Sequence, residues 1–157
     1  MNIETERKFL VNSDEFIAQA KEIHTIKQGY IAHDAGRTVR VRILDDKGVL
    51  TIKGPSANGI SRMEWEKEIG LQDAEDLMLL CDPGIIDKTR YIIPAANGRK
   101  FEVDIFHGDN DGLVMAEIEL GSEDEAFEKP SWLGTEVTGD KKYYNSYLTR
   151  MPYKNWK

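Results

Sequence analysis

Six stretches of this chain set charged or polar side chains at every second position with apolar ones between them, each about the length of a β-strand. On an extended strand, residues two apart share a face, so every stretch carries one charged face and one apolar face. In Ile3–Val11 the charged face is Glu4, Glu6 and Lys8, opposite Ile3, Phe9 and Val11. In Thr38–Leu44, Arg40 and Arg42 oppose Val39, Val41 and Ile43; in Arg62–Ile69, Arg62, Glu64, Glu66 and Glu68 oppose Met63, Trp65 and Ile69. Lys88 and Arg90 oppose Tyr91 and Ile93, and Lys100, Glu102 and Asp104 oppose Phe101, Val103 and Ile105. Glu117 and Glu119 oppose Ala116, Ile118 and Leu120.

Ile26–Ala32 and Val49–Lys53 add two more strands, for about eight in all. Turn signals separate them: His33-Asp34-Ala35-Gly36, Asp45-Asp46-Lys47-Gly48, Asn97-Gly98 and Gly108–Gly112. Helices are expected over about Asp14–Glu22, from Asp73 as cap through Leu77 to Cys81, around Asp124–Phe127, and from about Lys141 to Arg150. Helices need an apolar sheet face to cover. If they sit outside, the charged faces point into the centre of a closed barrel, and eight strands leave room inside for side chains or one small ligand. The expected fold is therefore mainly β with helices (α+β), an eight-stranded antiparallel closed β-barrel with the helices packed outside.

The length of 157 residues suits one domain spanning residues 1–157. A net charge of −7 argues against nonspecific nucleic-acid binding, which needs a basic outer surface. No apolar run is long enough to span a membrane, and the N-terminus shows no signal-peptide pattern. Cys81 is the only cysteine and is expected in the core, so no disulfide framework or thiolate metal site is available. A cytoplasmic protein with no membrane or nucleic-acid partner is expected, with a homodimer left open.

Turned inward, these faces gather nine carboxylates (Glu4, Glu6, Glu64, Glu66, Glu68, Glu102, Asp104, Glu117, Glu119) with Lys8, Arg40, Arg42, Lys53, Arg62, Lys88 and Arg90. Burying each charge costs several kcal/mol unless it is paired, hydrated or ligated. Carboxylate oxygens suit hard divalent cations, and arginine and lysine suit phosphate oxygens. The charge pattern therefore implies an interior site for a metal-bound polyphosphate.

Glu4-Thr5-Glu6-Arg7-Lys8 resembles the ExExK signature of the triphosphate tunnel metalloenzymes, the CYTH superfamily, and is closest to its bacterial inorganic triphosphatases. The resemblance runs on in order through Arg40-Val41-Arg42, Lys53-Gly54, Glu64-Trp65-Glu66, Lys88-Thr89-Arg90-Tyr91, Glu102-Val103-Asp104, Glu117-Ile118-Glu119 and Glu136–Asp140. It implies a tunnel that binds a linear triphosphate with Mg²⁺ or Mn²⁺. Carried over by residue, Glu4, Glu6, Glu117 and Glu119 are the metal ligands, with Glu66 and Asp104 as further candidates. Lys8, Arg40, Arg42, Lys53, Lys88 and Arg90 grip the phosphates, joined by Arg62, and Glu4, Glu6, Lys8 and Arg42 form the catalytic set. Hydrolysis of inorganic tripolyphosphate to orthophosphate is the leading function. Adenylate cyclase of class IV, thiamine triphosphatase and a noncatalytic polyphosphate or nucleotide binder are the alternatives.

Gln28, Tyr30 and Tyr91 are expected to fill the barrel wall. Trp65, Trp132 and Tyr143-Tyr144-Asn145 are read as packing, with a C-terminal helix able to plug or gate one tunnel mouth. His24, His33 and His107 are read as turn or surface residues.

Overall fold

The computed structural model describes residues 2–156. Nine strands form one sheet: β1 (Asn2–Val11), β2 (Glu22–Asp34), β3 (Arg37–Leu44), β4 (Lys47–Lys53), β5 (Ser61–Ile69), β6 (Ile86–Pro94), β7 (Lys100–Phe106), β8 (Val114–Glu119) and β9 (Leu133–Glu136). The order is β5-β4-β3-β2-β6-β7-β8-β1-β9, every ladder is antiparallel, and β5 also pairs with β1. That last pairing closes eight strands into a barrel and leaves β9 as an extra strand.

β1 is shared between partners along its length. Asn2–Thr5 pair with Ser61–Glu64 of β5, while Glu6–Leu10 pair on the other side with Met115–Glu119 of β8. Beyond the end of β5 the wall is continued by loops: the Glu6 amide donates to the Ile60 carbonyl at 3.1 Å, and the Val137 amide donates to the Lys8 carbonyl at 2.8 Å. Phe9 and Val11 then pair with β9.

The apolar faces point outward, as the helices require. Phe9, Ile93, Phe101, Val103, Ala116 and Ile118 are buried in one outer layer with Phe16, Trp132 and Leu133. Ile86, Phe106, Leu113, Met115 and Leu148 form a second cluster, and this one lies inside the barrel, because Ile86, Phe106 and Met115 share the strand faces of Lys88, Asp104 and Glu117. Of the three helices, α1 (Phe16–Gln19) packs on β6, α2 (Leu71–Met78) on β2, β3 and β4, and α3 (Asn145–Leu148) against the inward cluster, while Ile3, Ile52, Met63 and Trp65 on the outer face of β1, β4 and β5 stay exposed.

α1 is shorter than the capping signal at Asn12-Ser13-Asp14 suggests. Sheet pairing wins, because the Lys21 amide donates to the Ile92 carbonyl at 2.9 Å and Glu22 opens the ladder to β6, so β2 begins four residues before Ile26. The second helix starts at Leu71 and has Gly70 as its N-cap, so Asp73 sits in the first turn where its charge meets the helix dipole. Cys81, at its C-terminal side, is half-buried and lies against Gly29.

No helix forms around Asp124–Phe127. Glu125 instead takes both Arg99 Nε and Nη2, at 2.8 and 2.7 Å, and the Gly121 amide at 2.8 Å, which fixes an irregular strap. The expected helix from Lys141 to Arg150 is broken at Tyr144, whose extended backbone separates a 3₁₀ turn over Lys141–Tyr143 from α3. At Asn97-Gly98 both residues have positive φ, 61° and 72°, as the hairpin signal requires. Among the described residues, no helix is long and apolar enough to cross a membrane.

Candidate active site

The inward faces enclose a cavity of about 180 Å³. Each strand delivers its charges because side chains alternate, and the ladders then decide which charges meet. Glu6 lies directly opposite Glu119, and Lys8 opposite Glu117, across β1 and β8; Glu102 lies opposite Glu117 across β7 and β8. Like charges directly opposed on neighbouring strands destabilise a sheet, so this register is not one that stability alone selects.

Some of these charges are satisfied within the barrel. Lys53 Nζ lies 2.8 Å from Glu4 and 3.5 Å from Glu64. Asp104 meets Arg90 Nε and Nη2 at 2.8 and 2.9 Å, and Lys88 Nζ at 2.8 Å. Burial pushes the Asp104 carboxyl up, but Arg90 and Lys88 together hold it below the usual carboxylate range. Arg90 also reaches Glu102 at 3.3 Å. Arg40 donates to Thr51 at 3.1 Å and lies 3.6 Å from Glu66, which accepts from Thr51 at 2.8 Å.

Other charges are not. Among the described residues Glu6 and Glu119 make no ion pair, and the Arg42 guanidinium meets only the Gln28 amide oxygen, at 2.9 and 2.7 Å. Burial and the charge of Glu117 push Glu6 well above the ordinary carboxyl range. Burial also raises Glu117, but Lys8, the hydrogen bond from Glu6, and Arg90 and Lys88 more than offset this and hold it ionised. Burial, with Glu4 and Glu102 adding repulsion, raises Glu119, and burial beside Glu4 lifts Glu64 to about 7. On the basic side, burial lowers Lys88 to about 7 despite Asp104, and lowers Arg42 to about 9, with Arg40 and Arg90 adding to the effect.

Glu4, Glu6, Lys8, Arg40, Arg42, Lys53, Arg62, Glu66, Lys88, Arg90, Glu117 and Glu119 all line the cavity. Asp104 is buried behind the lining, 2% exposed, with its oxygens committed to Arg90 and Lys88. Glu68 and Lys100 are exposed and do not line the cavity. Sequence reasoning assigned no site role to Gln28, Tyr30, Thr38, Thr51, Tyr144, Asn145 or Ser146, which also line it. Gln28 and Tyr30 share a strand face, and Thr38 and Thr51 have the parity of Arg40 and Lys53, so alternation could have found them. Tyr144 and Asn145 do not only pack: the Tyr144 ring lies 5.4 Å from Lys8 Nζ and 5.7 Å from the Arg62 guanidinium carbon, and it sits at one end of the cavity. An irregular segment carries no period that would reveal this.

No three acidic or histidine side chains among the described residues converge tightly enough to form a ready cation cage. The ladder opposition of Glu6 to Glu119 and of Glu102 to Glu117 nevertheless marks where negative charge accumulates, and a hard divalent cation suits those oxygen donors. Opposite this acidic bank, the basic side chains of β3 and β6 present donors suited to phosphate oxygens. A cavity lined by surplus charge of both signs fits a polyanion accompanied by a cation.

Comparison with known proteins agrees with this geometry. The chain is 48% identical over 158 residues to the inorganic triphosphatase of Acetivibrio thermocellus, covering 100% of this chain and 99% of that one. It is 36% identical over 150 residues to the inorganic triphosphatase of Nitrosomonas europaea, covering 92% and 95%. A crystal structure of an inorganic triphosphatase superposes with a TM-score of 0.64 at 33% identity, covering 95% of each chain. Triphosphatases of this kind are metal-dependent in general. The CYTH domain profile matches residues 2–149, nearly the whole barrel described above, and the chain belongs to the CYTH domain family.

Proposed function

We propose that this protein hydrolyses a linear triphosphate inside the barrel, with inorganic tripolyphosphate as the preferred substrate and orthophosphate as the product. The observation that carries the reading is one cavity lined by Glu4, Glu6, Glu117 and Glu119, with Glu6 directly opposite Glu119, and by an arginine, Arg42, that meets no carboxylate. The two inorganic triphosphatases that align along almost the whole chain support it.

Glu4, Glu6, Glu117 and Glu119 would hold Mg²⁺ or Mn²⁺, with Glu66 at the edge of that set, and Asp104 would act as the counter-charge that fixes Arg90 and Lys88. When bound, such a cation neutralises phosphate charge and lowers the pKa of an attacking water. Arg40, Arg42, Lys88 and Arg90 hold the phosphate chain in line and offset charge that spreads onto the equatorial oxygens of the transferring phosphoryl group. Lys8, Lys53 and Arg62 line the same cavity beside the acidic bank and hold the chain's other oxygens. A carboxylate whose pKa is lifted toward neutrality, such as Glu64 at about 7, has the right basicity to take a proton from water.

The test incubates purified protein with tripolyphosphate, ATP or thiamine triphosphate, each with Mg²⁺, Mn²⁺ or EDTA, and resolves the products. Metal-dependent orthophosphate release, fastest from tripolyphosphate, is expected. Pyrophosphate and cyclic AMP from ATP, faster release from thiamine triphosphate, or tight binding with no product would each overturn it.

A further inference from the structure

Two of the cavity-lining cations end on a pair of neutral amides that are hydrogen-bonded to each other. Asn145 Oδ1 accepts from Lys88 Nζ at 2.8 Å and from Gln28 Nε2 at 3.2 Å, and Gln28 Oε1 accepts both Arg42 donors. The orientation of both amides is forced by chemistry. Lysine and arginine only donate, so Lys88 requires the asparagine oxygen and Arg42 requires the glutamine oxygen. That leaves Gln28 its amino group, which it gives to Asn145 and, at 3.1 Å, to the Tyr30 hydroxyl. The network is closed to water: Gln28 is 0%, Lys88 1% and Asn145 9% exposed.

The segment that brings Asn145 here is firmly seated. Leu148, one helical turn on, is buried with Ile86 and Phe106, which share the inward faces of Lys88 and Asp104. The Thr149 carbonyl lies so close over Gly84 that a Cβ there would stand 2.1 Å from it, at a φ of +94° that only glycine adopts readily. An amide also does what a carboxylate cannot. It orders Lys88 and, through Gln28, Arg42 without adding a negative charge beside them, so Arg42 keeps its charge free for an incoming anion and Lys88 carries no counter-charge beyond Asp104. Without Asn145, Lys88 keeps Asp104 as its side-chain partner, 2.8 Å away, and Gln28 loses the acceptor that fixes its rotation.

We propose that Asn145 is a positioning residue that aims the Lys88 ammonium and, through Gln28, the Arg42 guanidinium at the phosphate chain. The inference rests on the reading of the cavity as a triphosphate site.

The test measures tripolyphosphate hydrolysis with Mn²⁺, tripolyphosphate binding by calorimetry in EDTA, and melting temperature for the unaltered protein and its variants. Asn145→Ala and Gln28→Ala should each lower kcat about tenfold while changing KM and the binding constant less than about threefold, because charge remains and only its aim is lost. The double variant should fall no more than about twofold below the worse single one, since both act through one network. Asn145→Asp keeps the shape and the acceptor but neutralises Lys88, so it should fold, hold kcat and raise KM about tenfold or more. Additive losses, unchanged kinetics in Asn145→Ala, or an unchanged KM in Asn145→Asp would overturn the positioning role while leaving the triphosphatase reading intact. Neither hydrolysis nor binding by the unaltered protein would overturn both.

Discussion

Glu6 is placed where an isolated carboxylate is costly: half-buried, opposite Glu119 in the ladder and raised in pKa by desolvation and the charge of Glu117. Arg42 is placed where a guanidinium is costly for the same reason, its pKa drawn down to about 9 by burial beside Arg40 and Arg90. Strain of this kind at a functional site predicts opposite effects on activity and stability. Arg42→Ala should lower tripolyphosphate hydrolysis by on the order of 10²–10³-fold, the cost of removing one preorganised charge from a transition state. Glu6→Gln should lower it by at least about 100-fold, yet raise the melting temperature in EDTA at neutral pH. The sign follows from linkage. A raised folded-state pKa means the folded chain holds a proton that the unfolded chain releases above about 4.5, so stability falls as pH rises past that value. The stabilisation by glutamine should therefore vanish at acid pH, where both carboxyls are protonated. Activity that survives in both variants would show that these residues are not the site. Almost every charged residue of the cavity was legible in the sequence, because parity along a strand sorts it to a face. What parity could not show is pairing: Asp104 shares the face of Glu102 but ends behind the lining, held by Arg90 and Lys88.

At the scale of elements, the strands were legible and several helices were not. Strands announce themselves by alternation, but α1, the strap before β9 and the segment around α3 are fixed by tertiary partners. Trp132 shows how. Its ring packs edge-on against Phe16 and Phe101 at 5.9 and 5.2 Å and donates to Gln19 at 3.1 Å, tying α1 to β7 just before β9 begins. Trp132→Ala should cost about 3–5 kcal/mol in urea unfolding, in the range of large-to-small core changes; a loss below about 1 kcal/mol would mean the outer layer is not what holds α1 down. The turn between β3 and β4 carries a milder element-level device. His24 lies 2.6 Å from Asp45 and 3.1 Å from Glu22, and the Asp45 hydrogen bond, against a smaller desolvation penalty, raises its pKa. A raised histidine pKa contributes stability that is full below the ordinary value near 6.5 and lost as pH rises through the folded value. His24→Gln should accordingly lower the melting temperature by about 1–2 °C at pH 6 and by less at pH 8.5. An equal loss at both pH values would assign His24 a packing role.

The barrel as a whole turns the usual sheet inside out, with its apolar faces outward and its charged faces around a central cavity. That inversion was legible because helices and charged strand faces cannot share one side of a sheet. The order of the strands around the barrel was not, since it depends on long-range pairings such as β1 with β5 over its first residues and with β9 at Phe9 and Val11. The most direct measurement is anomalous diffraction from crystals soaked with Mn²⁺ and tripolyphosphate under conditions too cold for turnover. Manganese is expected among Glu4, Glu6, Glu117 and Glu119, with the phosphate chain lying against Arg40, Arg42, Lys88 and Arg90. Manganese or phosphate bound only outside the barrel, with the cavity side chains unmoved, would contradict the assignment of the tunnel as the active site.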